Sequence, residues 1–359
     1  MDERLQMYKE LTELPGAPGH EKTIRKAMER YIRDYADELS TDNLGGLIAR
    51  IGNRGPKIMV AAHLDEVAFI ITSITQEGFL KFLPLGGWWN QVMLAQRVTI
   101  HTKKEVIDGV IGSIPPHVLS NEERRKPVEL KDMFIDIGAT SREEVIEFGV
   151  SPGDIVIPVC PFTVMKNPKV MMAKAWDNRV GIAIIIELFK RLRQVDIPNR
   201  VFGVGTIQEE LGMRGAKTAA YTIEPDICIA VDVGVSGDTP NIKEKDAQAK
   251  LGKGPLLLLC DSTMIAHPGL LRLCIETAGK YNIPFQYDAL PGGGTDAGRV
   301  HLYGKGVPSI VTAVPARYIH SHASLVHQDD IDNTVNLLVE IIKGLDEKTV
   351  SQLKADEYY

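Results

Sequence analysis

Five short segments in this chain place histidines or carboxylates at or just beyond the end of a probable strand, and that pattern restricts the fold more than any other feature. Residues 58–62 run into His63-Leu64-Asp65, and 169–175 into Trp176-Asp177-Asn178-Arg179. Residues 201–207 precede Gln208-Glu209-Glu210, 227–231 precede Asp232, and 309–314 precede Arg317-Tyr318-Ile319-His320-Ser321-His322. A short apolar run bounded by turn residues reads as a strand buried on both faces, which requires helices to cover it. Crevices beyond the C-terminal ends of such strands are where α/β sheets hold their sites.

The rest of the chain agrees with an α/β sheet and adds an interruption. The opening forty residues read as helical, with Ile24, Met28, Tyr31 and Tyr35 at three- and four-residue steps after Pro15-Gly16-Ala17-Pro18-Gly19. A strand is expected at 47–51. From about 67 to 165 the texture turns to short β-rich pieces (67–74, 96–101, 154–159) separated by turns. One helix is evident there, opened by the capping box Ser141-Arg-Glu-Glu144. Beyond 166 strands and helices alternate again, with helices expected at 180–192, 270–281 and 329–345 and a further strand at 256–260. The economical reading is an α/β domain interrupted by a β-rich insert.

Each ionisable segment has a plain structural use and a chemical one. His63 and Asp65, two apart on a strand, face one side, so the carboxylate can orient the imidazole. Asp177 or Asn178 suits a helix N-cap, or the aspartate could bridge two cations. Glu209 and Glu210 are adjacent at the end of a buried strand. They repel each other and are costly to desolvate unless something compensates. Pointing in different directions, they could divide the work between metal ligand and general base. Either His320 or His322 could be a ligand, and His327 lies close in sequence. Taken together this is a nitrogen and oxygen donor set without cysteine, suited to zinc, cobalt or manganese. Five ligands with one bridging carboxylate fit a two-metal centre. HExxH, the phosphate loop, the nucleophile elbow and GxGxxG are all absent, although Gly292-Gly293-Gly294-Thr295-Asp296-Ala297-Gly298 is glycine-rich. Such a loop either turns the chain or lets a substrate backbone come close.

In this order the segments AAHLDE (61–66), AWDNR (175–179), QEELG (208–212), AVDVG (230–234), PGGGTDAG (291–298) and RYIHS (317–321) resemble the M42 metallo-aminopeptidases. These are the tetrahedral (TET) aminopeptidases, relatives of which have been labelled glutamyl aminopeptidase or endoglucanase. The resemblance runs nearly end to end. It implies an α/β fold, a mixed-sheet zinc-peptidase catalytic domain (phosphorylase/hydrolase-like) made of 1–66 and 165–359. The inserted β-rich dimerisation domain would be 67–164. It implies two divalent ions per subunit, zinc or cobalt with manganese possible. One is held by His63, Asp177 and Asp232, the other by Asp177, Glu210 and His320. Glu209 matches the general base and Asp65 the carboxylate supporting His63. Gly293, Gly294, Thr295 and Asp296 match the substrate pocket. The family often has Ser-Pro after the ligand histidine where this chain has Ser321-His322, and His320 is the favoured ligand. The implied activity is removal of N-terminal residues from short peptides by a dodecamer of six dimers. The alternatives are a deacylase, a glycosidase or a non-enzymatic shell.

Composition narrows the partners. A net charge of −6 argues against nucleic acid. The N-terminal MDERLQMYKELTEL holds no apolar run of secretory or membrane length. Cys160, Cys228, Cys260 and Cys274 are few and widely spaced, as expected of reduced core thiols in a cytoplasmic protein.

Overall fold

The structure is a computed structural model, and it describes residues 2–243 and 247–355. Along the chain the described strands are β1 (Glu38–Thr41), β2 (Leu47–Ile51), β3 (Lys57–His63), β4 (Ala68–Ile74), β5 (Leu80–Leu85), β6 (Arg97–His101), β7 (Val106–Gly112), β8 (Phe134–Asp136) and β9 (Ile155–Pro158). There follow β10 (Thr163–Val164), β11 (Val170–Ala173), β12 (Arg200–Thr206), β13 (Ile227–Val235), β14 (Leu256–Asp261), β15 (Gln286–Leu290), β16 (Ser309–Arg317) and β17 (Ser324–His327). The α-helices are α1 (Glu3–Glu13), α2 (Lys22–Ile32), α3 (Arg142–Glu147), α4 (Trp176–Leu192), α5 (Arg214–Ile223), α6 (Pro268–Tyr281), α7 (Ala297–Val300), α8 (Gln328–Gly344) and α9 (Glu347–Lys354).

Eleven strands form one mixed sheet, ordered β1-β2-β12-β3-β13-β16-β17-β11-β10, with β14 and β15 attached through β16. Its centre, β12-β3-β13-β16, is parallel, and these are the apolar runs that the sequence marks as buried on both faces. Helix α4 lies on this centre. Gly181 lets it approach, since a Cβ there would meet the Ala62 side chain at 2.7 Å. Ile182, Ile185, Ile186 and Phe189 of α4 join Val60, Ala62, Ile229 and Val231 in the main core, all of them essentially inaccessible.

The pairing of β3 with β13 stops at Ala61–Ala230. Extending that register two residues puts Asp232 level with His63, on strands that are no longer bonded to each other. The crevice starts where the hydrogen bonds end, with β12 on one side of β3 and β13 on the other, as the strand-end rule anticipates.

Strands β4-β5-β8-β7-β6-β9 close into a separate barrel with its own core, built from Phe69, Phe82, Val98, Ile100, Ile135 and Val156. Phe69 stacks on Trp88 at 4.6 Å and meets Phe82 edge-on at 5.1 Å. Half of the capping box forms: Ser141 Oγ accepts from the Glu144 amide at 3.2 Å to start α3, while Glu144 Oε2 accepts from the Thr140 amide at 2.6 Å rather than from Ser141. Several elements differ from expectation. Residues 38–41 are a strand rather than helix end; they are mostly exposed and pair only with β2, an edge position that leaves no apolar pattern. Strand β13 continues to Val235, past Asp232, because β16 pairs with it throughout. Helix α5, β15, β17 and α9 have too few apolar residues to stand out. All four cysteines are free thiols; Cys228 and Cys274 are buried, while Cys160 and Cys260 are half-buried. No helix among the described residues is long and apolar enough to cross a membrane.

Candidate metal centre

At the crevice the structure gathers His63, Asp177, Glu209, Glu210, Asp232 and His320 around a cavity of about 360 Å³. His63 ends β3 and is almost fully buried. Its Nδ1 donates to the Asp65 carbonyl at 3.1 Å, which turns Nε2 toward Asp177 Oδ1 at 3.0 Å. The same nitrogen is 3.9 Å from both Glu209 Oε2 and Asp232 Oδ1. His320 approaches from the turn after β16. Its Nδ1 donates to the Gly87 carbonyl at 2.6 Å, leaving Nε2 facing Asp177 Oδ2 at 3.3 Å and Glu210 Oε2 at 3.5 Å. Asp177 thus presents one oxygen to each histidine.

The two readings of Asp177-Asn178 separate cleanly. Asn178 is the cap: its Oδ1 accepts from the Gly181 amide at 3.0 Å and its Nδ2 donates to the Val231 carbonyl at 2.8 Å. Asp177 is left free to face the cavity. Trp176 anchors this turn in the core, edge-on to Tyr8 and Phe162. The glutamates are also held through their backbone. Asp65 Oδ1 accepts from the Glu209 amide at 3.0 Å and Asp65 Oδ2 from the Glu210 amide at 3.1 Å. Glu21 does the same for Gln208, at 3.0 Å. Three successive amides gripped by two buried carboxylates set the directions of the side chains that follow.

One residue expected at the site, Asp296, lies elsewhere, and so does the alternative histidine, His322. Gly293, Gly294 and Thr295 line the cavity, but Asp296 is turned inward, accepting from Thr206 Oγ1 at 2.5 Å and only 2% exposed. His322 is buried against Trp88, ring centres 5.3 Å apart, and its two nitrogens have no partner among the described residues. Burial pushes it down to about 4.

A second group of residues was not singled out from sequence. Arg179 is fully buried. It donates from Nε to the Leu64 carbonyl (2.8 Å), from Nη1 to Leu11 and Leu14 carbonyls (2.6 and 2.9 Å), and from Nη2 to Glu66 (3.1 Å). Lys174 closes on the same Glu66 at 2.7 Å. This cluster ties the segment carrying His63 and Asp65 to the one carrying Asp177. The signal was present only as charges flanking the motifs, Glu66 after Asp65 and Arg179 after Asn178.

The donor set suits a cation. One donor atom each from His63, Asp177 and Glu210 lies within 4.8 Å of the others. Glu210 Oε1 is buried without a partner among the described residues, an orphan that a cation would satisfy. Burial pushes Glu210 up to about 7, and it pushes Glu209 and Asp232 up as well, the surrounding carboxylates adding to the effect. Against burial, hydrogen bonds from His320 and His63 hold Asp177 down. Four carboxylates this close stay charged together only with positive charge among them.

Comparison with known proteins gives the same direction. The family model described as M42 glutamyl aminopeptidase matches residues 45–337, and one described as AMPT matches 2–28. The putative aminopeptidase FrvX of Escherichia coli (strain K12) is 38% identical over 335 residues, 93% of either chain. The crystal structure of a TET aminopeptidase from a marine sediment Thaumarchaeota archaeon is 44% identical, with a TM-score of 0.96 over 98% of this chain and 99% of its own. The PhTET1-12s dodecamer, the TET1 peptidase of Pyrococcus horikoshii, is 33% identical, with a TM-score of 0.84 over 96% of this chain and 100% of its own.

Proposed function

Because the chain belongs to the M42 peptidase family and is a metal-dependent aminopeptidase, we propose that it removes N-terminal residues from short peptides at a centre of two divalent ions. The observation that carries this reading is Asp177, with one oxygen toward His63 and the other toward His320. His63, Asp177 and Asp232 would hold one ion, and Asp177, Glu210 and His320 the other. Zinc or cobalt suits these donors, and manganese is compatible with them. When bound, the ions polarise the scissile carbonyl and lower the pKa of a water.

The protein's own part is orientation and proton transfer. Asp65 fixes the His63 ring through its carbonyl and fixes the Glu209 and Glu210 backbone through its carboxylate. Glu209 lines the cavity without facing a second histidine. It takes the proton from the attacking water and returns it to the leaving amine. Gly293, Gly294 and Thr295 admit the substrate beside it. A glycosidase needs two carboxyls free to flank its bond, and here only Glu209 is not directed at a metal position.

The division into 1–66 with 165–359 and an inserted 67–164 belongs to the same proposal, the barrel being the pairing module. Val106 and Val110 lie on one face of β7 and are exposed, as are Ile114 and Val118 beyond it, which fits a surface covered by a second subunit. A dodecamer of six dimers is the assembly we assign. The free thiols suit a reducing cytoplasm.

Chelator-stripped protein should release nothing from a short peptide, and added zinc, cobalt or manganese should restore stepwise trimming. An N-acetylated twin of that peptide should resist. Full activity without metal sinks the two-ion mechanism, and equal rates on the twin peptides transfer the reading to a deacylase or endopeptidase.

A further inference from the structure

A groove of about 940 Å³ lies beside the metal centre and shares Gly212 and Met213 with its cavity. That volume is within the ~300–1,000 Å³ range of ligand sites. Its exposed cations are Arg214, Lys217 and Arg299. Arg214 donates to Gln208 Oε1 at 3.1 Å and Arg299 to the Gly212 carbonyl at 3.3 Å, both neutral acceptors. None of the three makes an ion pair among the described residues. Asp42 is the one carboxylate lining the groove, and it is already engaged. Its Oδ1 accepts from the amides of Leu44, Gly45 and Gly46, and its Oδ2 from Thr218 Oγ1 at 2.6 Å. Three cations against one carboxylate therefore leave an excess of positive charge on one concave surface of a protein of net charge −6.

Resting on the aminopeptidase reading, we infer that this groove is the track for the part of the peptide beyond the scissile bond, and that it recruits a carboxylate there. A peptide whose N-terminus is at the metal centre has to extend past the cavity, and this groove borders the cavity at Gly212 and Met213. Negative charge on the leaving segment meets Arg214, Lys217 and Arg299, while Tyr221 and Leu44 give apolar contact. The carboxylate is either the free C-terminus of a very short peptide or an acidic side chain. Binding energy from a part of the substrate remote from the reacting bond appears in KM when it is equal in ground and transition states.

The test uses the metal-loaded enzyme and four tetrapeptides: Ala-Ala-Ala-Ala as free acid and as C-terminal amide, and the amides of Ala-Ala-Glu-Ala and Ala-Ala-Gln-Ala. At low salt the carboxylate-bearing peptides should have KM values ~3–10-fold below their neutral partners, a preference that shrinks at high salt as exposed charges are screened. The free acid and the Glu peptide report separately on the two carboxylate sources. In Arg214→Gln/Lys217→Gln the preference should fall below ~2-fold, and Arg299→Gln tests the third cation independently. Wild-type enzyme that trims all four peptides without discrimination overturns the inference and leaves the aminopeptidase reading intact. Failure to trim any of them strikes that reading itself. A change in assembled mass in the variants, with the preference retained, assigns the groove to contact between copies and overturns the inference as well.

Discussion

Replacing Arg179 by lysine keeps the positive charge and removes the planar fork, so it isolates what the hydrogen bonds do. Three nitrogens of Arg179 serve four buried acceptors, the carbonyls of Leu11, Leu14 and Leu64 and the Glu66 carboxylate. An ammonium offers three hydrogens from one atom and cannot span the same acceptors. Glu66 keeps Lys174, so no naked charge results; two of the carbonyls lose their partner instead. At ~1–3 kcal/mol for each unsatisfied buried group, the loss is about 2–6 kcal/mol. The Leu64 carbonyl matters most, because its peptide separates His63 from Asp65 and its amide is already bonded to Thr206. Loosening it lets both residues drift, and changes behind metal ligands typically cost ~10–100-fold in affinity. Calorimetric titration of stripped Arg179→Lys with cobalt or zinc, alongside its thermal unfolding midpoint, reads both effects. Wild-type metal affinity in a variant that is clearly destabilised would show that Arg179 serves the fold alone. Wild-type values for both would refute the hydrogen-bond accounting.

The adjacent glutamates should separate by metal content. Glu209→Gln should retain metal and lose ~10²–10⁴-fold in turnover, the range for a positioned general base, whereas Glu210→Gln should need more added metal to regain activity. The opposite pattern, by metal analysis and kinetics, reverses the two roles. Val106→Lys/Val110→Lys places two charges on the exposed face of β7 and should shift native mass spectra toward monomer; an unchanged assembly removes that face from the pairing surface.

Much of the site was legible because its residues sit at the ends of strands that the sequence itself declares. Residues 58–62 are apolar without interruption and 201–207 are broken only by Thr206, so His63, Glu209 and Glu210 announce themselves by ending the runs. The residue pattern alone left open which neighbour of a pair does what, and only the resemblance favoured His320 and divided the glutamates. Asn178 rather than Asp177 is the cap, and His320 rather than His322 faces the cavity, because of the Gly181 amide and the Gly87 carbonyl, which are distant contacts or backbone groups without a sequence signature. Asp296 looked like a pocket residue from its glycine-rich setting, yet Thr206, 90 residues away, draws it inward. The Glu66–Lys174–Arg179 cluster was hidden for a similar reason. Charged residues are ordinarily solvated, and only tertiary contact reveals that these three are buried together.

The Gly87 carbonyl belongs to the turn after β5, on the barrel side of the molecule, and it is what fixes the proton on His320 Nδ1. A chain pruned to its eleven-stranded sheet would keep all five candidate ligands and lose the group that selects the tautomer of one of them. The two parts are separable as stretches of chain but share a single piece of chemistry. An engineered exchange of barrels between relatives would therefore have to carry this turn across, or supply another acceptor in its place.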